Sequence, residues 1–374
     1  MSTETNTEKS TYVSNAANRR AKRYKKYSKG RKFGRGLGKV LLVILTFLLA
    51  VVLALGITIK MICSDTFPSA QKMFVTTVLE SGQLKFLAGL FLTPEQVQAI
   101  VDENSMKELN AEVNTDLISF DNSTNTDQKD IEVEEVAGAT FTGTMMIIKD
   151  PSRLSVASIY PWKAQGIPLE ELCKNDGAIA GINGGLYNSH NNSGGNPYGV
   201  LVSRGEIQYN KPWEWPGLVL IGFTEDNILE IIDINGYKQD QVEALVKERK
   251  IRDAVTFQEE ASDANNHFVQ LIINGESREM NGQGSGLNPR TAIGQRADGS
   301  VLLFVTDGRG KAGHLGASSG DLISVMEQYG AVNAANLDGG SSSCMWYNGE
   351  YLMTSVTFYY SNSSWKLPAG FVVH

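Results

Sequence analysis

The chain has 374 residues, of which 42% are hydrophobic and 20% charged, so it can bury a large core and a disordered chain is excluded. The charge is unevenly distributed, because residues 1–39 carry a net charge of +10 and residues 60–374 carry −17. The formal net charge of −7 therefore averages two opposite pieces.

Residues 40–59 form an apolar run of twenty residues without a charge between these two pieces. As a helix the run would span roughly 30 Å, the thickness of a bilayer hydrocarbon core. A cleavable signal peptide is the competing interpretation. However, its apolar part is shorter, and only a short basic region precedes it, whereas about forty residues precede this run. We predict a retained transmembrane anchor over residues 40–60.

The basic residues before the anchor predict its orientation. Eleven of them lie between residues 19 and 39. Because Lys and Arg stay on the cytoplasmic side, we expect residues 1–39 to form a cytoplasmic tail and the rest of this single-pass cell-membrane protein to be extracytoplasmic. A nucleic-acid arm would have a similar composition, but the position beside the anchor favours lipid headgroups, so no nucleic-acid partner is predicted.

The residues after the anchor are expected to form a spacer. Residues 61–110 predict a helical stalk, in which Thr93 caps a helix that has Pro94 in its first turn. Residues 111–135 are acidic and rich in Asn, Thr and Ser, which is typical of a linker. A compact domain is therefore expected over residues 136–374.

The three cysteines do not form a disulfide framework. For Cys63, at the outer end of the anchor, a bystander role is favoured over reaction or lipidation. Cys173 and Cys344 could pair in an oxidising space, but the sequence does not give their distance, so pairing stays open. Neither a Cys-x-x-Cys pair nor a His/Cys cluster indicates zinc.

Residues 136–374 contain short apolar runs of strand character separated by glycine. Asp298-Gly299 and Asn348-Gly349 are signals for two-residue hairpins. Two helices are predicted, over residues 239–252 and over residues 318–329, the second with a serine cap and Gly330 at its end. The predicted fold is α+β, a sheet-dominated mixed domain with few helices, preceded by the anchor and stalk.

Three apolar strands run directly into a polar side chain followed by glycine. They end at Asn183, Asp307 and Asp338. A side chain at a strand end is held rigidly, and the glycines let a ligand approach backbone N–H groups. A single Asp-Gly is usually only a turn, and Asp307 could simply tie its own turn, but three such segments together indicate a site.

A fourth segment, Asn288-Pro289-Arg290-Thr291, opens another predicted strand. The Arg290 guanidinium could bind a phosphate or carboxylate, with Thr291 adding a hydroxyl. A surface or salt-bridge arginine in a turn is the alternative.

Three further side chains are weaker candidates. His314 could act as an acid or base, although a lone loop histidine is more often a bystander. Trp213 and Trp215 could stack on sugars, or pack at the core or rim.

Six segments, in this order, resemble the phosphodiester glycosidase family, which includes N-acetylglucosamine-1-phosphodiester α-N-acetylglucosaminidases and exopolysaccharide-related bacterial proteins. They are NGGLYN at 183–188, NPRTAIG at 288–294, LLFVTDGR at 302–309, residues 316–330, NLDGGSSS at 336–343 and LPAGFVV at 367–373. The resemblance covers roughly residues 136–374. Leu186 stands where members commonly carry an aromatic residue.

The resemblance implies a hydrolase, and together with the predicted anchor we expect it to be membrane-anchored and extracytoplasmic. It would cleave the glycosidic bond of a sugar-1-phosphodiester, such as an N-acetylglucosaminyl phosphodiester, in a cell-envelope or exopolysaccharide glycan. The residues that suit this task are Asp338, Asp307 and Asn183 as catalytic residues, Arg290, Thr291, Gly339, Gly340 and Ser341 as phosphate-binding residues, and Gly184, Gly185 and Tyr187 as sugar-binding residues. The carboxylates would attack or stabilise the anomeric centre or activate water, and Asn183 would orient a sugar hydroxyl or water.

Two other functions remain open at this stage. One is a non-catalytic binding or assembly protein for phosphodiester-linked wall polymers, and the other is a transferase that joins polymers through phosphate. The predicted partners are a glycan substrate and the lipid bilayer, the latter through residues 40–60. No cofactor is predicted, and a divalent cation is possible but not indicated by any ligand spacing.

Overall fold

The computed structural model describes residues 4–81, 84–107, 109, 111–120, 130–259, 268–355 and 363–374. These residues form two compact units, Met1–Phe67 and Pro68–His374. Part of the predicted acidic linker, residues 121–129, lies outside the described residues.

The first unit is dominated by helix α1, Glu4–Ile62. Its portion Gly38–Ile62 is long and apolar enough to cross a membrane, and it is the one such candidate in the described part of the chain. The predicted anchor lies within it. The hydroxyls of Thr46 and Thr58 donate to backbone carbonyl oxygens four residues earlier, so these two polar side chains are satisfied inside the helix.

The second unit has five further α-helices and 17 strands among the described residues. The helices are α2 Pro68–Leu79, α3 Pro94–Asp102, α4 Leu169–Asp176, α5 Gln239–Glu248 and α6 Ser319–Gln328. The strands are β1 Ile131–Ala137, β2 Thr142–Ile148, β3 Leu154–Ser158, β4 Ala180–Asn183, β5 Gly199–Ser203, β6 Glu206–Lys211, β7 Leu218–Thr224, β8 Leu229–Asp233, β9 Ile251–Gln258, β10 Gln270–Ile273, β11 Glu276–Ser277, β12 Thr291–Arg296, β13 Val301–Thr306, β14 Ala331–Asn336, β15 Cys344–Tyr347, β16 Glu350–Thr354 and β17 Ala369–Val373.

The strands form three antiparallel sheets. Their orders are β1-β2-β13-β12-β14-β10-β11, β16-β15-β4-β17-β3 and β6-β5-β9-β7-β8. One apolar core joins the three sheets, with Ile293 from the first, Phe371 from the second and Phe223 from the third. Helix α6 covers the other face of the first sheet, α4 covers that of the second, and α5 covers that of the third. The predicted sheet-rich α+β fold is confirmed.

Both predicted hairpins are present, but only the one at Asn348-Gly349 has positive φ at both predicted turn residues. Strands β15 and β16 are joined at Asn348-Gly349, where φ is +48° and +99°. A two-residue turn of this type needs positive φ at both positions, which Asn and Gly tolerate. Strands β12 and β13 are joined through Asp298-Gly299, with φ of +85° at Gly299.

Both helices predicted in this domain are present, but the predicted ends agree with the structure better for α6 than for α5. Helix α6 begins at the predicted cap, because the Ser318 hydroxyl accepts a hydrogen bond from the Asp321 N–H. Helix α5 ends earlier than predicted, since Lys250 turns at φ +50° and Ile251 starts the buried strand β9. Burial of β9 between β5 and β7 decides that boundary.

The segment expected to be a stalk packs against the sheet domain within the second unit. Thr93 caps α3 as predicted, and it forms a capping box with Gln96 at the start of the helix. The Thr77 hydroxyl, in α2, accepts a hydrogen bond from the Leu287 N–H, and the Asn281 N–H donates to the carbonyl of Ser105. Helices α2 and α3 therefore line the loop that leads into β12.

Cys173 and Cys344 lie in one apolar cluster under α4 as buried thiols, without a disulfide between them. Burial raises the pKa of the Cys173 thiol to about 12 and that of Cys344 further. Both side chains therefore pack as small apolar groups.

Candidate active site

The segments predicted to carry chemistry meet at one edge of the sheets. Strands β12 and β14 are antiparallel neighbours, so the start of β12 lies beside the end of β14. The Leu337 N–H donates to the Thr291 carbonyl at 2.8 Å, and the Gly340 N–H donates to the Pro289 carbonyl at 2.8 Å. These bonds join the NPRT segment to the NLDGG segment.

Asn183, at the end of β4, ties a third segment into this edge. Its Nδ2 donates to the Asp338 carbonyl at 2.6 Å, and its Oδ1 accepts from the Thr291 hydroxyl at 2.7 Å and from the Cys344 N–H at 3.2 Å. The Asp338 N–H also donates to the carbonyl of Gly184 at 3.3 Å. The buried Asn183 amide thus fixes the backbone around Asp338, while its contact with a sugar or water stays a prediction.

Asp338 is half-buried at the centre of this arrangement. Its Oδ1 accepts from the Gly339 N–H at 3.0 Å, and its carboxylate also hydrogen-bonds the Ser342 side chain. Desolvation raises the pKa of Asp338 to about 6, although both hydrogen bonds and the charge of Arg309 lower it. The carboxylate can therefore change protonation state near neutral pH.

Tyr187 is linked to Asp338 through Ser342. Its hydroxyl lies 2.8 Å from the Ser342 Oγ, and Ser342 in turn reaches the Asp338 carboxylate. Burial and the Asp338 charge raise the pKa of Tyr187, so the phenol keeps its proton. The ring is buried, and its predicted contact with a sugar stays a prediction.

Gly185, another predicted sugar-binding residue, lies against strand β9. A Cβ atom at this position would be 2.1 Å from the Thr256 carbonyl oxygen, so only glycine lets the two backbones approach. The close contact explains the second glycine of NGGLYN, and a sugar contact for Gly185 stays a prediction.

The Arg290 guanidinium is buried and occupied by protein acceptors. Its Nε donates to the Ala317 carbonyl at 3.1 Å. Its Nη2 donates to the Ser285 hydroxyl at 3.0 Å and to the Gly286 carbonyl at 2.8 Å, and it forms an ion pair with Glu80. The salt-bridge alternative considered for Arg290 therefore describes its surroundings, and direct contact with phosphate stays a prediction.

Glu80, one residue beyond α2, is the partner that completes this buried ion pair. Its side chain is 2% exposed, and it also accepts from the Gly286 N–H at 2.6 Å. Desolvation raises the pKa of Glu80 to about 7, while the Arg290 charge lowers it. Sequence reasoning missed Glu80, because its position in the predicted stalk gave no signal of contact with β12.

Arg309 is a second residue that sequence reasoning missed. Its side chain is exposed, its Nη1 donates to the Ser341 hydroxyl at 2.6 Å, and its Nε donates to the Asn288 Oδ1 at 3.2 Å. A Cβ at Gly340 would lie 2.6 Å from its Nη2, so the glycine lets the guanidinium lie against the NLDGGSSS loop. The sequence does contain a signal, the arginine of LLFVTDGR, but the residue predicted from that segment was Asp307.

Both carboxylate oxygens of Asp307 have hydrogen-bond partners. Its Oδ1 accepts from the Thr142 N–H at 2.8 Å, and its Oδ2 lies 2.7 Å from the His314 Nδ1. These contacts join the start of β2 to the loop after β13, so Asp307 connects two segments and does not simply tie its own turn. A catalytic role for Asp307 stays a prediction, and His314 is its 30% exposed partner.

The structure thus gathers most of the predicted residues and adds others. The predicted residues that share the hydrogen-bonded edge are Asn183, Gly184, Tyr187, Arg290, Thr291, Asp338, Gly339, Gly340 and Ser341. The added ones are Glu80, Asn288, Arg309 and Ser342. Among the described residues, no group of three or more His, Cys, Asp or Glu side chains could hold a metal ion.

Comparison with known proteins agrees with the motifs. The family model of the phosphodiester glycosidases matches residues 176–374, just over half of the chain. The chain belongs to the phosphodiester glycosidase family. The predicted family is confirmed, and membership supports a glycosidase-type function. The match contains Asp338, Arg290 and Arg309, whereas Glu80 precedes it.

Individual relatives of this phosphodiester glycosidase are distant. The SPbeta prophage-derived uncharacterized protein YomE of Bacillus subtilis (strain 168) is 40% identical over 65 residues, which are 17% of this chain and 10% of that protein. The chain thus matches only a tenth of that curated relative's length. The catalytic domain of zebrafish N-acetylglucosamine-1-phosphodiester alpha-N-acetylglucosaminidase, auto-inhibited by its pro-peptide, is 19% identical with a TM-score of 0.48, covering 67% of this chain and 86% of that chain.

A hypothetical protein from Synechocystis is also similar in structure. It is 18% identical with a TM-score of 0.40, and the alignment covers 65% of this chain and 61% of that one.

Proposed function

We propose that this phosphodiester glycosidase hydrolyses the glycosidic bond of a sugar-1-phosphodiester, releasing the sugar and leaving a phosphomonoester. One observation carries the proposal: the Asp338 carboxylate, with a pKa of about 6, lies within electrostatic reach of the exposed Arg309 guanidinium. A carboxylate beside an arginine with an exposed side is the pair that such a reaction needs.

The chemistry assigns a different task to each of the two groups. Cleavage develops positive charge at the anomeric carbon and adds negative charge to the departing phosphate. Asp338 would attack or stabilise the anomeric centre, or activate water. Arg309 would hold the phosphate together with the Ser341 hydroxyl and the Gly339-Gly340 backbone. A phosphate leaving group needs an anion holder more than a strong acid.

The remaining predicted residues would act by holding this pair in place. Thr291 and Asn183 fix the Asp338 backbone, and the buried Arg290 ion pair anchors the start of β12. Gly184, Gly185 and Tyr187 would border the sugar side. Asp307 with His314 is retained as a second carboxylate candidate.

The placement of the substrate follows from the anchor. We expect Gly38–Ile62 to span the cell membrane with the basic residues before it in the cytoplasm, so that the second unit faces outward. The substrate would then be a cell-envelope or exopolysaccharide glycan with phosphodiester links, of which an N-acetylglucosaminyl phosphodiester is the first to test.

The test uses the full chain in detergent with methyl α-N-acetylglucosaminyl phosphate. The expected products are free N-acetylglucosamine and methyl phosphate in equal amounts, and Asp338→Asn should lower turnover by at least about a hundredfold. Equal activity of wild type and Asp338→Asn would contradict the assignment. Retention of a phosphodiester-linked polymer with no sugar released would instead support the non-catalytic binding protein, and products that appear only with a polymer acceptor would support a transferase.

A further inference from the structure

Glu80 brings a buried carboxylate to the candidate site from outside the family-matched residues. It follows α2, which is packed against the loop before β12: a Cβ at Gly286 would lie 2.4 Å from the Thr76 backbone. The Glu80 carboxylate accepts from the Gly286 N–H and pairs with Arg290, so its position is fixed from two sides.

A third contact links Glu80 to the exposed arginine. The Asn288 side chain hydrogen-bonds the Glu80 carboxylate, and its Oδ1 accepts from the Arg309 Nε at 3.2 Å. An ionised carboxylate only accepts, so it must face the NH₂ end of the amide. The oxygen end then faces Arg309, which can only donate. Glu80 and Arg309 therefore favour the same orientation of Asn288, and the Glu80 carboxylate holds the amide whose oxygen meets the guanidinium.

Glu80 also acts on Arg309 through its charge. Desolvation lowers the pKa of Arg309, and the charge of Arg290 lowers it further, while the Asp338 and Glu80 carboxylates raise it. Two guanidinium groups close together in a partly desolvated site repel each other. Glu80 offsets the charge of Arg290, so the charge of Arg309 is left for an anion from solvent.

We propose that Glu80 is a positioning residue for Arg309, acting through Asn288, so that the segment between the membrane anchor and the sheet domain completes the phosphate-binding part of the active site. The inference rests on the proposed function. Glu80 does not occupy the open side of the site, because its side chain is buried while Arg309 is exposed.

The experiment compares three variants of the full chain in detergent. Glu80→Gln keeps the shape of the side chain but removes the charge that holds the Asn288 amide and offsets Arg290, so the contact of Asn288 with Arg309 is weakened. Asn288→Ala removes the relay without breaking the buried ion pair, and therefore tests the proposal even if Glu80→Gln folds poorly. Glu103→Gln is the matched control, because Glu103 lies in the same segment as an exposed partner of Lys72.

Two readouts are needed. With methyl α-N-acetylglucosaminyl phosphate, Glu80→Gln and Asn288→Ala should each lower kcat/KM by about tenfold or more, mainly through kcat, since Arg309 meets the full phosphate charge only in the transition state. The double variant should be no worse than Asn288→Ala alone, because both act on one contact. Stabilisation by inorganic phosphate, measured as a thermal shift, should weaken in the same variants and stay unchanged in Glu103→Gln.

The outcomes separate this inference from the proposed function. Glu80→Gln with wild-type kcat/KM and wild-type phosphate stabilisation overturns the inference, as does a gain in activity, which would mean that Glu80 restrains the site. A loss in Glu80→Gln with a normal Asn288→Ala would assign Glu80 to stability alone. If wild type releases no sugar but phosphate stabilises it more than Glu80→Gln, the proposed function fails and the positioning role stands.

Discussion

The Nη1 of Arg309 lies 2.6 Å from the Oγ of Ser341, and this hydrogen bond joins the loop after β13 to the loop after β14. Ser341 belongs to the same loop as Asp338, so the contact sets an exposed cation beside a half-buried carboxylate. The other arginine of the region, Arg290, lies beneath the start of β12 with its guanidinium paired to Glu80. We therefore expect the two arginines to have different tasks, which mutation can separate.

The exposed arginine should matter for turnover and little for folding. We expect Arg309→Ala to lower kcat/KM by about a hundredfold or more, because it removes the cation that meets the developing phosphate charge. Arg309→Lys should recover only part of the loss, since an ammonium cannot reach Ser341 and Asn288 together. Steady-state kinetics and the urea midpoint are measured side by side, with Arg204→Ala, an exposed arginine paired with Asp176, as the control. Unchanged kinetics would remove Arg309 from the site.

The buried arginine should matter mainly for stability. Arg290→Ala leaves the Glu80 carboxylate buried without its partner, so we expect a loss of about 3–5 kcal/mol in the free energy of unfolding. The double variant Arg290→Met with Glu80→Leu should recover much of it, because it removes both buried charges. Urea unfolding of the full chain measures both. Wild-type stability of Arg290→Ala would show that the ion pair contributes nothing.

Asp338 should destabilise the protein at neutral pH. Its pKa of about 6 in the folded state lies above the ordinary value of an aspartate, so the native state binds more protons than the unfolded chain between about pH 4 and pH 6. Stability is therefore lost as the pH rises through that range. We expect Asp338→Asn to be more stable than wild type by about 2 kcal/mol at pH 8 and equal to it near pH 4. A wild-type urea midpoint at both pH values would contradict the raised pKa.

Local features of the fold could be predicted from the sequence because neighbouring residues determine them. The hairpin turn at Asn348-Gly349 needs only two residues that accept positive φ, and the caps at Thr93 and Ser318 need only a side chain within three residues. The end of α5 was missed, since it depends on burial of Ile251 between two other strands. Gathering strand-end residues at one edge was predictable because glycine and polar side chains follow apolar strands there.

The partners within the site could not be predicted in the same way. Glu80 and Arg290 are 210 positions apart, and nothing local to α2 indicates that a carboxylate will be buried there. Arg309 meets Ser341 only because β13 and β14 both flank β12. A sequence identifies the residue types that suit phosphate chemistry, but the sheet order decides which arginine is left exposed.

The orientation of the anchor can be tested on intact cells. We expect an external protease to digest the second unit while an epitope placed before Arg19 stays protected, because the basic residues hold that end in the cytoplasm. Permeabilised cells are the control, in which the epitope should also be digested. Digestion of the epitope in intact cells would reverse the topology and place the substrate inside.

The Ser342 hydroxyl should tune the pH dependence of the reaction. If Asp338 acts as a carboxylate, sugar release rises as the pH increases through its pKa of about 6. The hydrogen bond from Ser342 stabilises the charged form and lowers that pKa, so Ser342→Ala should move the midpoint of the rise upward by about one pH unit. Activity should then fall severalfold at pH 6 and stay near wild type at pH 8.

The neighbouring Ser343 supplies the matched control for this change. Its buried Oγ has no hydrogen-bond partner among the described residues, so Ser343→Ala should leave the pH profile in place. The charged and polar groups around Asp338 are Arg309, Ser342, the Gly339 N–H and, behind Ser342, Tyr187. None of these changes protonation between pH 5 and pH 8, since Tyr187 is held protonated and arginine stays charged. Glu80, with a pKa of about 7, lies behind Arg309 and is unchanged in both serine variants, so its titration affects the two profiles alike. A profile that moves equally in both serine variants, or in neither, would assign the rise to another group.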